Sequence, residues 1–261
     1  MADVNKALSI NPKNNETYFA KALVYYSQNN KDSAHKALDN CLALGKHAEA
    51  NYYKGMMYYQ INDMDEAIKY YSAAIEVKPD YAYAYNDRAS AKRAKNDLTG
   101  AIADYEKALA INKTLVFINN NLGSAYRLNK NYTKAIECYD KVLLENPAYL
   151  MALNNRGAAK LENGNIDGAK KDFEAVLSKD PNNSSAFNNL ASLALKQKDY
   201  AKAKDMASKA IEKNASNGAA YFNRGIAKQM LHDESGCCSD WKKASELGVS
   251  AAKSFLNSDC N

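Results

Sequence analysis

Several features that identify membrane proteins or nucleic-acid-binding proteins are absent from this sequence. No apolar run approaches the roughly 20 residues that a membrane-spanning helix needs. The segment after Met1, ADVNKALSINP, lacks the apolar stretch of a secretory signal. The net charge is +5, but basic and acidic residues are interspersed and no block of like charge occurs. We therefore expect a folded chain with neither membrane insertion nor a nucleic-acid partner.

Catalytic and metal-binding signatures are also missing. The three histidines, His35, His47 and His232, are far apart, and no two of the five cysteines form a C-x-x-C pair. This spacing disfavours a zinc site. The sequence has no phosphate-binding loop and no nucleophile elbow. We expect neither enzymatic activity nor a cofactor.

The sequence instead repeats itself with a fixed period. YNDRASAKRAKNDLTGAIADYEKALAINK begins at Tyr85, and NNNLGSAYRLNKNYTKAIECYDKVLLENP begins at Asn119, 34 residues later. Further copies begin at Leu153, Phe187 and Tyr221. Such a period indicates a stack of identical supersecondary units.

Four positions define the unit, which we number from 1 to 34. Position 8 is Gly or Ala, and position 20 is Ala or Cys, which lets two helices approach closely. Position 24 is mostly aromatic and fills the space beside them. Position 32 is proline in three units and ends the second helix. The aromatic residues at position 24 are Tyr71, Tyr105, Tyr139, Phe173 and Trp241, and the prolines at position 32 are Pro79, Pro147 and Pro181.

This pattern resembles the tetratricopeptide repeat (TPR) family over nearly the whole chain. The resemblance implies an all-α fold, a right-handed α-solenoid of seven TPR helix pairs with a C-terminal capping helix. Each pair would bury its apolar face only against its neighbours. The predicted units are 15–47, 48–81, 82–115, 116–149, 150–183, 184–217 and 218–251.

The two ends differ from the repeat. Residues 1–14 match only the closing half of a unit, so either a longer chain has been truncated, which we favour, or a half-repeat caps the array. Residues 252–261 continue a helical pattern with Phe255 and Leu256, and we expect them to form the capping helix.

Asparagine recurs on one face of the first helix. Positions 4, 7, 8 and 11 form the stripe that faces the partner helix, so positions 2, 5, 6 and 9 lie on the opposite side. The resemblance implies that this side lines a concave groove. Positions 5 and 6 hold Asn86, Asp87, Asn120, Asn121, Asn154, Asn155, Asn188, Asn189 and Asn223. An amide can pair with any extended peptide backbone, as in the asparagine ladders of peptide-binding TPR proteins. The alternative is that these amides bond neighbouring first helices or water.

Aromatic residues occupy the same face in the earlier units. The predicted groove residues are Tyr52, Tyr53, Tyr59, Tyr83 and Phe117. They suggest a ligand with apolar side chains at one end, although we expect roughly half of the rings to pack between adjacent helices. The lysines and arginine with which other TPR proteins grip a chaperone's terminal carboxylate are absent from positions 2, 5 and 6. Such a partner is therefore not expected.

A charge pattern alternates between units. Position 7 is Arg88, Arg156 or Arg224 in every second unit, and position 23 of those units is Asp104, Asp172 or Asp240. Units between them carry Leu at position 7. Because position 7 faces the partner helix, we predict structural Arg–Asp ion pairs.

Cys238 and Cys260 form a candidate disulfide between the last repeat and the capping helix. The bond would imply export, and free thiols in a cytoplasmic protein are the alternative. The Asn-, Lys- and Tyr-rich style resembles TPR proteins of Bacteroidetes-type bacteria, many of them exported. Localisation stays open, and this resemblance favours the bacterial cell envelope.

Two functions of different classes fit the sequence. The first is a non-catalytic scaffold that holds an extended peptide segment of a partner protein in its groove. The second is a self-assembly module that oligomerises through the ends of the array, or an accessory segment of a larger protein.

Overall fold

The computed structural model describes residues 1–260, which form sixteen α-helices and no strand. The chain divides into two compact units, residues 1–130 and 131–261. Unit one contains α1 (Ala2–Ile10), α2 (Asn15–Ser27), α3 (Lys31–Ala43), α4 (Ala48–Gln60), α5 (Met64–Val77), α6 (Ala82–Ala94), α7 (Leu98–Ile111) and α8 (Phe117–Leu128). Unit two contains α9 (Tyr132–Glu145), α10 (Leu150–Glu162), α11 (Ile166–Lys179), α12 (Ser184–Lys196), α13 (Tyr200–Lys213), α14 (Gly218–Met230), α15 (Glu234–Glu246) and α16 (Ala251–Asp259).

Consecutive helices pair within each unit. The pairs α2/α3, α4/α5 and α6/α7 pack together in unit one, and α10/α11, α12/α13 and α14/α15 do so in unit two. The predicted all-α TPR fold is thereby confirmed. The predicted capping helix corresponds to α16, which packs on α15; its last predicted residue, Asn261, lies outside the described residues.

The turn between paired helices is built the same way in every repeat. Position 15 adopts a left-handed conformation, for example at Asn62 with φ 64° and at Gly164 with φ 86°. Position 16 is then Asn or Asp, and its side chain accepts a hydrogen bond from the backbone N–H three residues later. Asparagine tolerates the left-handed region better than most residues, and Asn and Asp are strong helix caps. Local chemistry alone therefore starts each second helix.

Proline ends the second helix as predicted. The last helical residue is Val77 before Pro79, and Glu145 before Pro147. The intervening residue leaves the helical region, which a residue that precedes proline avoids; Lys78, for example, has φ −132° and ψ 88°.

Close packing at the helix crossing explains the small residue at position 8. A Cβ atom on Gly55 would lie 2.6 Å from the Tyr71 ring, and one on Gly157 would lie 2.6 Å from the Phe173 ring. Both rings are almost wholly buried. The aromatic residue at position 24 therefore occupies the space that a side chain at position 8 would need.

Asn119 occupies position 4, where four other units carry Tyr or Phe. The structure buries it, and its Nδ2 donates to the Val116 carbonyl oxygen at 3.3 Å. It satisfies a backbone carbonyl group at the start of α8 and does not lie on the side of the helix that carries positions 2, 5, 6 and 9.

Candidate binding surface on the first helices

The first helices of successive repeats contact one another within each unit. In unit one these are α4, α6 and α8, and in unit two they are α10, α12 and α14. We call the side that carries positions 2, 5, 6 and 9 of these helices the groove face of the unit. It contains all of the residues predicted to bind peptide except Tyr59, which lies at position 12 of α4.

Amide pairs connect neighbouring first helices on this face. In each pair, the side chain at position 6 donates to the side chain at position 5 of the preceding repeat. The pairs are Asn121 to Asn86 at 3.3 Å, Asn189 to Asn154 at 2.9 Å and Asn223 to Asn188 at 2.8 Å. Of the two alternatives that the sequence left open, bonding between first helices is the one seen in these pairs.

Burial limits which of these amides a ligand can reach. Asn86 and Asn120 are both only 6% exposed, so a ligand on the groove face would reach little of either side chain. The other predicted asparagines are half-buried. Among the described residues, Asn189 Oδ1 and Asn154 Nδ2 have no hydrogen-bond partner, so this pair retains an acceptor and a donor.

The pair formed by position 5 of α4 and position 6 of α6 differs chemically from these amide pairs. Tyr52 occupies position 5 and donates its hydroxyl to Asp87 Oδ2 at 2.7 Å. Asn86 Nδ2 donates to Asp87 Oδ1 at 2.8 Å. Burial raises the pKa of the Asp87 carboxyl, and these two hydrogen bonds oppose the rise only in part. Burial, and then the adjacent Asp87 charge, raises the pKa of the Tyr52 phenol.

The predicted aromatic residues divide into packed and exposed groups. Tyr52 and Tyr53 contact each other edge-on, and Tyr53 also packs against Phe19 and Tyr26 in the same way. Tyr53 thereby links α2 to α4, and Tyr52 packs against Tyr71 and Tyr81 with ring centroids 5.8 and 5.0 Å apart, so both rings are engaged within the scaffold. The side chains that do project are Tyr83 and Phe117, which are 48% and 45% exposed. They occupy position 2 of α6 and of α8, 34 residues apart.

A pocket of about 180 Å³ opens between α4 and α6 in unit one. Tyr71 of α5 contributes to its wall. The other lining residues are Met56, Tyr59, Gln60, Asp87 and Ser90. Sequence reasoning placed Tyr59 and Asp87 on this surface. It missed Ser90 and Gln60, because polar side chains at positions 9 and 13 are too weak a signal.

The predicted Arg–Asp pairs are confirmed in all three alternate repeats. Each arginine donates two hydrogen bonds to its aspartate, and the position-11 lysine bonds the same carboxylate. In the best-connected case, Arg156 Nε and Nη2 lie 2.9 and 2.6 Å from the Asp172 oxygens, and Lys160 Nζ lies 2.9 Å away. The other pairs are Arg88–Asp104 with Lys92, and Arg224–Asp240 with Lys228. These charges are therefore paired with one another inside the repeats.

Each of these arginines also contacts position 25 of the preceding repeat, which the sequence analysis missed. Arg156 Nη1 donates to Asp140 at 2.7 Å, and Arg88 Nη1 donates to Ser72 at 3.0 Å. Lys54, at position 7 of its unit, bonds Asp39 at position 25 of the preceding unit in the same manner. The sequence feature that could have revealed these contacts is a polar residue at position 25 of each repeat that precedes a repeat with a cationic residue at position 7.

Cys238 and Cys260 form a disulfide that joins α15 to the end of α16. Phe255 of α16 packs against Trp241 and Phe222 with ring centroids 4.9 and 5.2 Å apart. The apolar side of α14 and α15 is thereby covered.

No helix within residues 1–260 is both long and apolar enough to span a membrane. The same residues bring together no group of three potential metal ligands.

Comparisons with known proteins agree with this architecture. TPR family models match residues 19–81, 89–130, 118–149 and 160–223, which together span most of the chain. No curated protein matches. A TPR protein from Parabacteroides merdae has a similar structure, with 20% identity, a TM-score of 0.85, and coverage of 95% of this chain and 99% of that one.

Two further solved structures share the fold. PilW, described as a widely conserved type IV pilus biogenesis factor, is 19% identical, with a TM-score of 0.67 and coverage of 80% of this chain and 98% of that one. YrrB, described as a TPR protein with an unusual peptide-binding site, is 22% identical, with a TM-score of 0.55 and coverage of 67% and 90%. At these identities the likeness shows the fold alone. On the family matches and its repeat architecture, the chain belongs to the tetratricopeptide repeat family, whose members are typically non-catalytic scaffolds for protein–protein interaction.

Proposed function

We propose that this chain binds an extended segment of a partner protein on the groove face of unit one. The observation that carries the proposal is the pair Tyr83 and Phe117, which project large apolar side chains from equivalent positions of neighbouring helices. Aromatic residues exposed side by side are typical anchors of protein interfaces. The pocket beside Asp87 continues the same face.

An extended ligand is favoured over a compact one because these features recur at the spacing of the repeats. Side chains of an extended segment could follow successive first helices, each entering the space between two of them. A hydrogen bond between a groove-face amide and a peptide main chain contributes only about 1 kcal/mol net, so the apolar anchors must supply most of the affinity.

Self-assembly through the end of the array is the less favoured function. The disulfide and the packing of Phe255 on Trp241 cover the C-terminal repeat, which is one of the two ends where a second copy could stack. Terminal helices that cover the last repeat generally stop an array from continuing.

Selection of peptides from a random display library against the full chain tests the proposal. Selected peptides should bind the wild-type chain in calorimetry, and Tyr83→Ser with Phe117→Ser should weaken them by at least about tenfold, because two apolar anchors are lost. Leu144→Ser with Ile61→Ser is the matched control, since these side chains are 85% and 66% exposed but lie off the groove face. Equal losses in the two variants, or no loss in the first, would exclude the groove face. Sedimentation at several concentrations tests the alternative, for which a concentration-dependent oligomer is required.

A further inference from the structure

The pocket between α4 and α6 combines a charged group with an aromatic wall. Asp87 and Ser90 of α6 face Met56 and Tyr59 of α4, and Tyr71 contributes a second ring. Its volume of about 180 Å³ is below the roughly 300–1,000 Å³ of typical small-molecule sites. It is large enough for the end of one long side chain.

The Asp87 carboxylate in this pocket is hydrogen-bonded but not neutralised. Its two oxygens accept from the Tyr52 hydroxyl and the Asn86 amide, which are uncharged donors. No ion pair involves Asp87 among the described residues. By contrast, Asp104 is held by both Arg88 and Lys92. The two nearest cations along α6 are therefore directed to a different aspartate.

A half-buried carboxylate without a cationic partner is unfavourable, because burial removes solvation that nothing replaces. An incoming positive charge would recover that loss. The tyrosine rings also favour a cation, since the negative face of an aromatic ring attracts ammonium and guanidinium groups. An anionic or purely apolar side chain would gain from neither feature.

We propose that this pocket binds a cationic side chain, arginine in preference to lysine, of the segment that occupies the groove face. The inference rests on the proposed function and adds the chemistry of one ligand residue. A planar guanidinium can donate to the carboxylate while it lies against a tyrosine ring, whereas an ammonium is a compact, strongly hydrated charge.

An aspartate at position 6 together with a tyrosine at position 12 of the preceding unit occurs once along the repeats. Position 6 is Asp in this unit and Asn in the four units that follow, at Asn121, Asn155, Asn189 and Asn223. Position 12 of the preceding unit is Tyr59 here, but it is Leu161 where Asn189 follows. The chain therefore contains its own uncharged and non-aromatic versions of the same site, which define conservative test variants.

The test is a nuclear magnetic resonance titration of the full-length isotope-labelled chain with two defined probes. One is the pentapeptide acetyl-Ala-Ala-Arg-Ala-Ala-amide, and the other replaces arginine by citrulline, which keeps the shape but loses the charge. The arginine probe should shift the resonances of Tyr59 and Asp87 and bind at least about fivefold more tightly than the citrulline probe, because a charge-assisted hydrogen bond is roughly twice as strong as a neutral one.

Two variants separate the contributions. Asp87→Asn copies the sibling repeats and should make the two probes bind equally; its Oδ1 can still accept from Asn86 Nδ2, while its Nδ2 can donate to the Tyr52 hydroxyl oxygen. Tyr59→Leu should weaken the arginine probe while it leaves a preference over citrulline. Asn189→Asp is the matched control: it adds an acid at position 6 opposite a leucine, and it should not create a second site of comparable affinity.

The outcomes distinguish this inference from the proposed function. Equal binding of arginine and citrulline by the wild-type chain, or an unchanged ratio in Asp87→Asn, would overturn the cationic pocket. Display-selected peptides that depend on Tyr83 and Phe117 but contain no basic residue would also overturn it, and the proposed function would stand. Arginine binding at Asp87 with no peptide dependent on Tyr83 and Phe117 would support the pocket and reject the broader proposal.

Discussion

Arg156 and Asp172 face each other across one repeat through two parallel hydrogen bonds of 2.9 and 2.6 Å. Asp172 is almost fully buried and also bonds Lys160. The hydrogen bonds that Arg156 donates to Asp172 raise the pKa of the guanidinium and outweigh burial, which opposes its charge. Two parallel hydrogen bonds also join Arg88 to Asp104 and Arg224 to Asp240.

Removing Arg156 should destabilise the chain. Arg156→Ala leaves Asp172 buried with only Lys160, and we expect a loss of about 3 kcal/mol in the free energy of unfolding, measured by urea denaturation. Arg156→Leu with Lys160→Ala and Asp172→Met copies the repeat that contains Leu190, Ala194 and Met206. This triple variant should recover most of the loss, because no buried charge remains. A triple variant as unstable as Arg156→Ala would show that the pair is not what stabilises this repeat.

The Asn189–Asn154 pair should couple adjacent repeats weakly. Asn189→Ala and Asn154→Ala each remove the 2.9 Å bond, but alanine is the better helix former, so each should change the free energy of unfolding by less than about 1 kcal/mol. The informative quantity is the interaction energy in a double-mutant cycle, which we expect to be about 0.5–1 kcal/mol. The equivalent cycle for Asn189 and Asn121, which are not bonded to each other, is the control and should give zero within error.

The Cys238–Cys260 disulfide should stabilise the C-terminal helix. The bond closes a loop with a sequence separation of 22, and loss of such a cross-link costs about 3 kcal/mol in the chain-entropy description. Cys260→Ser should change the fluorescence of Trp241 at lower urea concentrations than in the wild-type chain, since Phe255 would leave the indole. Mass spectrometry without reductant, on protein from the native host, should detect the bond if the protein is exported. Two free thiols at these positions would contradict it.

The charge on Asp87 should make stability depend on pH in an unusual direction. Burial raises the folded-state pKa of this carboxyl above its unfolded value, so the folded chain holds the proton more tightly. The ionised carboxylate therefore opposes folding above the folded-state pKa, and the penalty disappears below the unfolded value of about 3.9. Asp87→Asn should consequently be more stable than the wild-type chain at pH 7, and the difference should shrink as the pH falls. A difference that stays constant from pH 4 to pH 8 would show that Asp87 is not perturbed in this way.

Most of the fold follows from the sequence because its determinants lie within one repeat. The turn depends on a left-handed residue and an Asn or Asp cap, and the helix crossing depends on a small residue at position 8 opposite position 24. The Arg–Asp pairs are 16 residues apart. At these separations a fixed period brings the partners together in every copy, so the pattern can be read without knowing how repeats stack.

Contacts between repeats were harder to predict. An asparagine at position 6 can bond a peptide, water or a neighbouring amide equally well, and only the spacing of adjacent first helices brings Asn223 within 2.8 Å of Asn188. The same spacing buries Asn86 and leaves Tyr83 and Phe117 projecting, although all three belong to the predicted groove.

The sequence by itself determined the repeat, the end of the second helix at proline and the internal ion pairs, because each depends on local geometry repeated at a constant period. Only the tertiary structure decided which polar groups are already satisfied and where space remains. The pocket at Asp87 exists because α4, α5 and α6 converge on it, with Tyr59 and Asp87 contributed by adjacent repeats. Its unpaired charge is visible only once Arg88 and Lys92 are seen to bond Asp104, since partner choice among nearby charges depends on side-chain direction in three dimensions.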